Sequence, residues 1–342
     1  MKVSVFEVEE WEKAAFKRLD AGAEVAFSPE PLSLRNAAGH ADAEVISTFI
    51  YSELASAVLK NLKKLRLIAT RSTGYDHINT VYCEKKGITV SNVPVYGDNT
   101  VAEHVFGLIL AISHHIVESV NRARRGNFSL RSIRGFDLLG KRLGVIGTGN
   151  IGRHVLEIAR GFRMEPVAFD LKPDEGLAAR LGFRYTTLDD LLSTSDIITL
   201  HIPVTPGTFN FLSAPQFEMM KDGVIIINTA RGALIDVQAL LVAIRKGKVA
   251  AAGLDVLPEE PVIREEAELL RSIAERKHLE TLLADALLLR LDNVIITPHN
   301  AFNTKEAVGR ILETTIDNIS AFMGGTPKNV VFGNGGARRK TG

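Results

Sequence analysis

The feature that most constrains this chain is a succession of short, continuously apolar runs separated by helix-like stretches. VSVF, EVISTFI, LRLIATRS, ITVSNV, RLGVIGTG, EPVAFD, DIITLHIP, GVIIINTA, AAAGLDV and NVIITP follow one another in that order. A strand with one wet face alternates polar and apolar residues, whereas a strand apolar throughout is covered on both faces, as in parallel sheets with crossover helices. The sequence therefore predicts the α/β class, with doubly wound parallel sheets. The runs form two series, one before about residue 98 and one from about 140 to 298, and 342 residues exceed what a single hydrophobic core commonly serves. Two domains are expected.

Between the series lies TVAEHVFGLILAISHHIVESVNRARRG, where Val101, Val105, Leu108, Ile112 and Ile116 recur at three- and four-residue spacing. One helix from about 100 to 125 is expected, with an apolar face suited to a domain link or a second subunit. Its polar face carries His114, His115, Glu118, Arg122, Arg124 and Arg125. Adjacent helical residues point roughly 100° apart, so His114 and His115 are not expected to share a metal. Residues 262–291 contain neither Gly nor Pro and predict a helical insertion, while the Gly-rich, basic 333–342 predicts a flexible tail.

Charge excludes some functions. With 41 Lys+Arg against 40 Asp+Glu, nothing recruits nucleic acid or anionic lipid by bulk field. Cys83 is the only cysteine, so neither an intramolecular disulfide nor a cysteine zinc site can form within one chain. The first residues hold no apolar run long enough for a signal peptide, and no stretch reaches eighteen uninterrupted apolar residues. A cytoplasmic protein with no membrane partner and no metal is expected.

The sharpest motif is LGVIGTGNIG at 143–152, an apolar run entering Gly147, Thr148, Gly149, Asn150, Ile151 and Gly152 in the spacing G-x-G-x-x-G. Gly147 suits a tight turn, Gly149 lets backbone approach a pyrophosphate, and Gly152 lets the helix pack closely on the strand. The helix N-terminus adds free N–H groups and partial positive charge for that phosphate. The next run, EPVAFD, ends in Asp170, where a carboxylate accepts ribose hydroxyls and repels a 2′-phosphate. The expectation is NAD in preference to NADP, with Lys172 a nearby cation that softens the discrimination.

Hydride transfer to a 2-keto acid needs a cation for the carboxylate, a proton donor for the developing alkoxide and a group that tunes the donor. Arg231 after VIIINTA, Glu260 after GLDVLPE and His299 after NVIITP all follow strand-like runs. Ligands of open parallel sheets gather beyond the carboxyl ends of the strands, so these residues can converge on the nicotinamide.

At this point the chain resembles the D-isomer-specific 2-hydroxyacid dehydrogenase family, through GTGNIG with Asp170, HIPVTPGT, INTARGALID, AGLDVLPEEP and TPHNAF, and in the first domain through RSTGYDHI and SNVPVYGDNTVAEH. The resemblance implies that Arg231 binds the substrate carboxylate and carbonyl, that His299 is the acid/base, and that Glu260, rather than the adjacent Glu259, raises its pKa. It implies cofactor contacts for His201, Pro203, Thr208, Thr229, Ala230 and Asp255, and substrate contacts for backbone N–H groups of Ser72, Thr73 and Gly74. NVPVY and PHNAF look most like the D-lactate dehydrogenase branch, which implies a small pocket walled by Tyr96, Phe302 and Tyr51 and suited to pyruvate.

The implied architecture is two Rossmann-like domains: a discontinuous substrate/catalytic domain, 1–98 with 300–332, and an inserted NAD-binding domain, 99–299. A cleft between them would hold the reaction, and the helix near 100–125 would make a homodimer. The alternatives are a glyoxylate or hydroxypyruvate reductase, a reductase of branched 2-keto acids, and, from another class, an NAD(H)-sensing corepressor-like binding protein.

Overall fold

Successive residues along a strand point to opposite faces of the sheet, and here both faces are packed. In the computed structural model the described residues are 1–19, 22–258 and 279–332. They fall into two compact units, Met1–Gly97 with Thr304–Gly342, and Asp98–Asn303.

The first unit is a five-stranded parallel sheet built from β1 (Lys2–Val5), β2 (Glu24–Phe27), β3 (Val45–Thr48), β4 (Leu67–Thr70) and β5 (Thr89–Ser91) in the order β2-β1-β3-β4-β5. Val45 and Leu67 pack on one face against Leu312, Ile316 and Ile319 of the helix Lys305–Met323, whereas Ile46 and Ile68 join Phe6, Leu54 and Val90 on the other. Two buried faces explain why β3 and β4 read as unbroken apolar runs. β2 is an edge strand, and its half-exposed EVAF gave no such signal.

The second unit carries β6 (Arg142–Ile146), β7 (Glu165–Phe169), β8 (Arg184–Tyr185), β9 (Ile197–Leu200), β10 (Val224–Asn228), β11 (Val249–Leu254) and β12 (Val294–Ile296). All pair in parallel, in the order β12-β11-β10-β9-β6-β7-β8. The order in which strands are added reverses between β6 and β9, running outward to β8 on one side and to β12 on the other, and this is the switch point where open α/β sheets bind their ligands. Alternation again fills two cores: Ile225 and Ile227 face one, Ile226 and Val224 the other. Between β10 and β11 the register shifts: Val224 pairs with Val249 but Ile225 with Ala251, which leaves Ala250 as an extra residue.

The long helix expected near 100–125 is corrected to two helices, Asp98–Ser113 and Ile116–Arg124, bent by 60°. His115 adopts φ 49°, a left-handed conformation that stops the helical ladder. Val101, Val105, Leu108 and Ile112 are buried as the spacing predicts, but Ile116 lies beyond the break and is exposed. The helix Ile116–Arg124 buries no residue in this chain and leaves Ile116, Val117 and Val120 open to solvent. Among the described residues no single helix is long and apolar enough to cross a membrane. Most of the predicted 262–291 insertion lies outside the described residues, and its end forms the helix Leu279–Leu288, with Ala284 and Leu288 in the core. The predicted tail at 333–342 lies outside them as well.

Candidate active site

One register row crosses six strands of the second unit at their carboxyl ends. Phe169 pairs with Ile146, Ile146 with Leu200, Leu200 with Asn228, Asn228 with Leu254 and Leu254 with Ile296. The next residue on each strand is therefore Asp170, Gly147, His201, Thr229, Asp255 or Thr297. Residues scattered over more than a hundred positions of sequence thus form a single line along one edge of the sheet.

Each glycine of GTGNIG meets a different constraint. Gly147 has φ 95°, and a Cβ there would stand 2.5 Å from the carbonyl oxygen of His201. A Cβ at Gly152 would stand 2.1 Å from the carbonyl oxygen of Gly147, so only glycine lets the helix Asn150–Gly161 sit this close to the turn. Gly149 faces open space, with nothing within 4 Å of the same position. It is also the N-cap of the helix, and no side chain caps it. The N–H groups of Asn150 and Ile151 thus begin a helix whose positive end is open to an anion.

Asp170 closes this loop. Its Oδ2 accepts from the N–H of Thr148 at 2.8 Å and from the Thr148 hydroxyl at 3.0 Å, and its Oδ1 accepts from the N–H of Lys172 at 2.9 Å. Partial burial alone would raise the carboxyl's pKa, but these hydrogen bonds outweigh it and hold Asp170 below the usual carboxylate range. The site carries a fixed negative charge where a ribose would lie. Tyr185 of β8 adds a hydrogen bond to the Thr148 hydroxyl at 2.9 Å, a contact with no local signal in the sequence.

Three buried polar atoms near the same edge have no hydrogen-bond partner: Nδ1 of His201, Oγ1 of Thr229 and Oδ1 of Asn300. Native proteins leave few such atoms, and a polar ligand along this edge would satisfy them. Burial pushes the His201 imidazole down to about 3, so it is neutral near pH 7, with Nε2 held at 2.9 Å by the Thr199 hydroxyl. Thr208 uses its hydroxyl within its own loop, donating to the carbonyl of Pro203 at 2.7 Å and accepting from the N–H of Thr205 at 2.7 Å. Ala230 donates its N–H to Oδ1 of Asn228 at 3.0 Å.

Arg231 stands three residues beyond Asn228 and His299 three residues beyond Ile296, so both follow the carboxyl ends of the strands that flank β11. Strands separated by one neighbour lie roughly 10 Å apart. Arg231 is half-buried, with Nη1 donating to the carbonyl of Ala230 at 2.8 Å. His299 has φ 52°, a conformation that costs a non-glycine residue on the order of 1 kcal/mol and needs support from its surroundings. Asp255 supplies it. The Asp255 carbonyl accepts the His299 N–H at 3.0 Å, and its carboxylate accepts the N–H groups of Asn300 and Ala301, both at 3.0 Å, and the Thr297 hydroxyl. With the residue only 1% exposed, this carboxylate's visible work is to hold the turn that carries His299.

In the first unit the loop after β4 is tied to the loop after β5. The Thr73 hydroxyl donates to the carbonyl of Val93 at 2.7 Å, the N–H of Val93 to the carbonyl of Ser72 at 3.0 Å, and the amide of Asn92 to the carbonyl of Thr73 at 2.8 Å. Ser72 turns its hydroxyl onto the carbonyl of Gly74 at 2.6 Å. The N–H groups of Thr73 and Gly74 donate to no acceptor among the described residues, as a substrate-carboxylate cradle requires. Tyr96 is half-buried and its carbonyl accepts from Nε of Arg310, while Tyr51 is exposed beside Phe49 and gives its N–H to Glu7 at 2.6 Å. Phe302 is half-buried in the second unit, directly after Ala301. Glu259 and Glu260 lie outside the described residues.

Residues 106–301 match the family model for the D-isomer specific 2-hydroxyacid dehydrogenase, NAD binding domain. The chain belongs to this family. It is 35% identical to D-lactate dehydrogenase of Escherichia coli over 327 residues, 94% of this chain and 96% of that protein. Over 279 residues it is 38% identical to a glycerate dehydrogenase of Methylorubrum extorquens, covering 80% and 81% of the two chains. Among solved structures, D-lactate dehydrogenase from Aquifex aeolicus, complexed with NAD and lactic acid, superposes with a TM-score of 0.85 at 36% identity and covers 97% of this chain and all of the other.

As a D-2-hydroxyacid dehydrogenase the chain uses NAD, and its own residues fit that cofactor: the open face of Gly149, the uncapped helix, the ionised Asp170 and the unpartnered atoms of His201, Thr229 and Asn300 lie along one edge. Sequence reading missed Thr297 and His104, whose Nε2 lies 3.0 Å from the Thr297 hydroxyl. Their sequence separation hides the pairing, and only the register row could have exposed Thr297.

Proposed function

We propose that this dehydrogenase interconverts pyruvate and D-lactate. The observation that carries the reading is the placement of Arg231 and His299 just beyond the carboxyl ends of β10 and β12, the strands that flank Asp255 on β11, a cation and a proton carrier at the edge that fits NAD. The breadth of the likeness to D-lactate dehydrogenases supports this choice of acid, while the glycerate dehydrogenase relative supports the alternative of a hydroxypyruvate or glyoxylate reductase.

The nicotinamide supplies or takes the hydride at C2 of the acid. Arg231 pairs with the substrate carboxylate and draws charge toward the carbonyl oxygen, a task suited to a planar, permanently charged group. His299 gives its proton to that oxygen as negative charge develops and takes it back in the oxidation direction. Glu260 favours the imidazolium by its negative charge. The free N–H groups of Thr73 and Gly74 add donors for the carboxylate, and the aromatic rings of Tyr96, Phe302 and Tyr51 favour a small acid such as pyruvate. Asp170 repels a 2′-phosphate and sets the preference for NAD over NADP. The first unit then serves as the substrate/catalytic domain. The exposed Ile116, Val117 and Val120 support a homodimer through that helix, and a single cysteine, buried, suits the cytoplasm.

The test is NADH oxidation with pyruvate, phenylpyruvate, hydroxypyruvate, glyoxylate and 2-ketoisocaproate in parallel, followed by chiral analysis of the product. Highest kcat/KM for pyruvate, with D-lactate formed, supports the proposal. Preference for hydroxypyruvate or glyoxylate moves the chain to the alternative. Tight NADH binding without turnover of any acid indicates an NAD-sensing binding protein.

A further inference from the structure

His104 sits in the helix Asp98–Ser113, far in sequence from the turn that carries His299, yet its ring reaches that turn. Nε2 lies 3.0 Å from Oγ1 of Thr297 and 3.5 Å from Oδ1 of Asp255. The Thr297 hydroxyl has a single hydrogen, which it donates to Oδ1 of Asp255. The ring nitrogen facing Thr297 must therefore be the donor, which assigns the proton to Nε2 of His104. A continuous chain results: His104 N–H to Thr297 O–H, Thr297 O–H to the Asp255 carboxylate, and that carboxylate accepting the N–H groups of Asn300 and Ala301.

The geometry points to His104 as a positioning residue for the proton-transfer turn: it holds Thr297 as a donor to Asp255 and so fixes the backbone on which His299 is carried. This inference rests on the reading of His299 as the acid/base. A carboxylate 1% exposed needs all its donors, because an unsatisfied buried charge is costly and searches for other partners. His104 is the only basic side chain within ion-pair distance of Asp255 among the described residues. Without its N–H, the Thr297 hydroxyl can rotate away and Asp255 loses the donor that orients it. The left-handed His299 then loses part of the support that keeps it in an uncommon conformation.

The experiment compares His104→Leu, which removes the donor, with His104→Gln, whose terminal amide restores an N–H at similar reach. Two readouts are taken on the full chain: steady-state kinetics with NADH and the preferred 2-keto acid, and hydrogen exchange at the amides of Asn300 and Ala301. In His104→Leu, kcat should fall about tenfold or more and exchange at both amides should accelerate by a similar factor, the usual weight of one hydrogen bond to a charged network. KM for NADH should stay unchanged. His104→Gln should restore both readouts most of the way.

Full kcat and full protection in His104→Leu overturn the proposal. So does a His104→Gln variant no better than His104→Leu, or lost turnover with unaltered exchange at Asn300 and Ala301. Should His104→Leu fail to fold, Thr297→Val removes the middle of the same chain; protection at Asn300 and Ala301 equal to the parent protein would then sink the idea. If His299→Gln retains full turnover, the acid/base reading fails by itself, and the exchange comparison still decides whether His104 holds the turn.

Discussion

The N–H of Thr148 donates to Oδ2 of Asp170 across 2.8 Å, joining the glycine turn after β6 to the end of β7. Asp170, the proposed ribose ligand, is therefore also a brace for the glycine loop. Asp170→Ala should weaken NADH roughly tenfold to a hundredfold, the range for hydrogen bonds to a charged group, and narrow the preference over NADPH. Fluorescence titration with both nucleotides measures this, and an unaltered preference would remove Asp170 from the ribose site.

Gly149 and Gly152 are three residues apart and should respond to alanine in opposite ways. Gly152→Ala pushes a methyl group to 2.1 Å from the carbonyl oxygen of Gly147 and should cost about 1–3 kcal/mol of stability. Gly149→Ala meets empty space at an ordinary φ of −62°, so its cost should be held to the weaker N-capping of alanine, about 0.5–1 kcal/mol. Its NADH affinity should nevertheless drop. Thermal melts with and without NADH separate the two outcomes.

His299→Gln should lower kcat by roughly a hundredfold to ten-thousandfold, the span of general acid–base catalysis, with NADH affinity retained. Loss of NADH binding alongside turnover would show a structural defect at the turn instead.

His201 should leave a mark on stability in acid. Its native pKa of about 3 lies below the ordinary 6.5. Above pH 6.5 the ring is neutral in both folded and unfolded chains, and stability is full. As pH falls from 6.5 toward 3, the unfolded chain takes up a proton that the buried ring refuses, so stability declines. Urea unfolding of the cofactor-free protein across this range should show a shallower decline for His201→Gln. Equal slopes in the two proteins would mean that the imidazole is not sealed.

What could be read from sequence follows from what was doubly buried. β3, β4, β9 and β10 announce themselves because Val45, Ile46, Ile225 and Ile226 face opposite cores from adjacent positions. Two of the four edge strands escape: β2 is half-exposed, and β8 has only two residues, Arg184 and Tyr185. The break at His115 was invisible because apolar spacing continues through Ile116, while the backbone conformation that stops the helix leaves no periodic trace. The glycines, Asp170, Arg231 and His299 were legible as motifs at strand ends. The support of His299 by Asp255 was not, since it depends on which strands lie side by side and at what register.

The extra residue Ala250 gives that register a numerical origin. It is the one position of β11 without a counterpart on β10, and everything downstream, from Ala251 to Asp255, is displaced by it. Were Ala250 paired with Ile225 instead of bulged out, with the start of the strand unmoved, Leu254 would fall opposite Thr229, Asp255 would move one step further along, and its carboxylate would turn to the other side of the sheet. The chemistry at this edge is thus a matter of parity as much as of residue choice. Transplanting it to another parallel sheet would succeed or fail on the count of residues between Val249 and Asp255, even with every side chain correct.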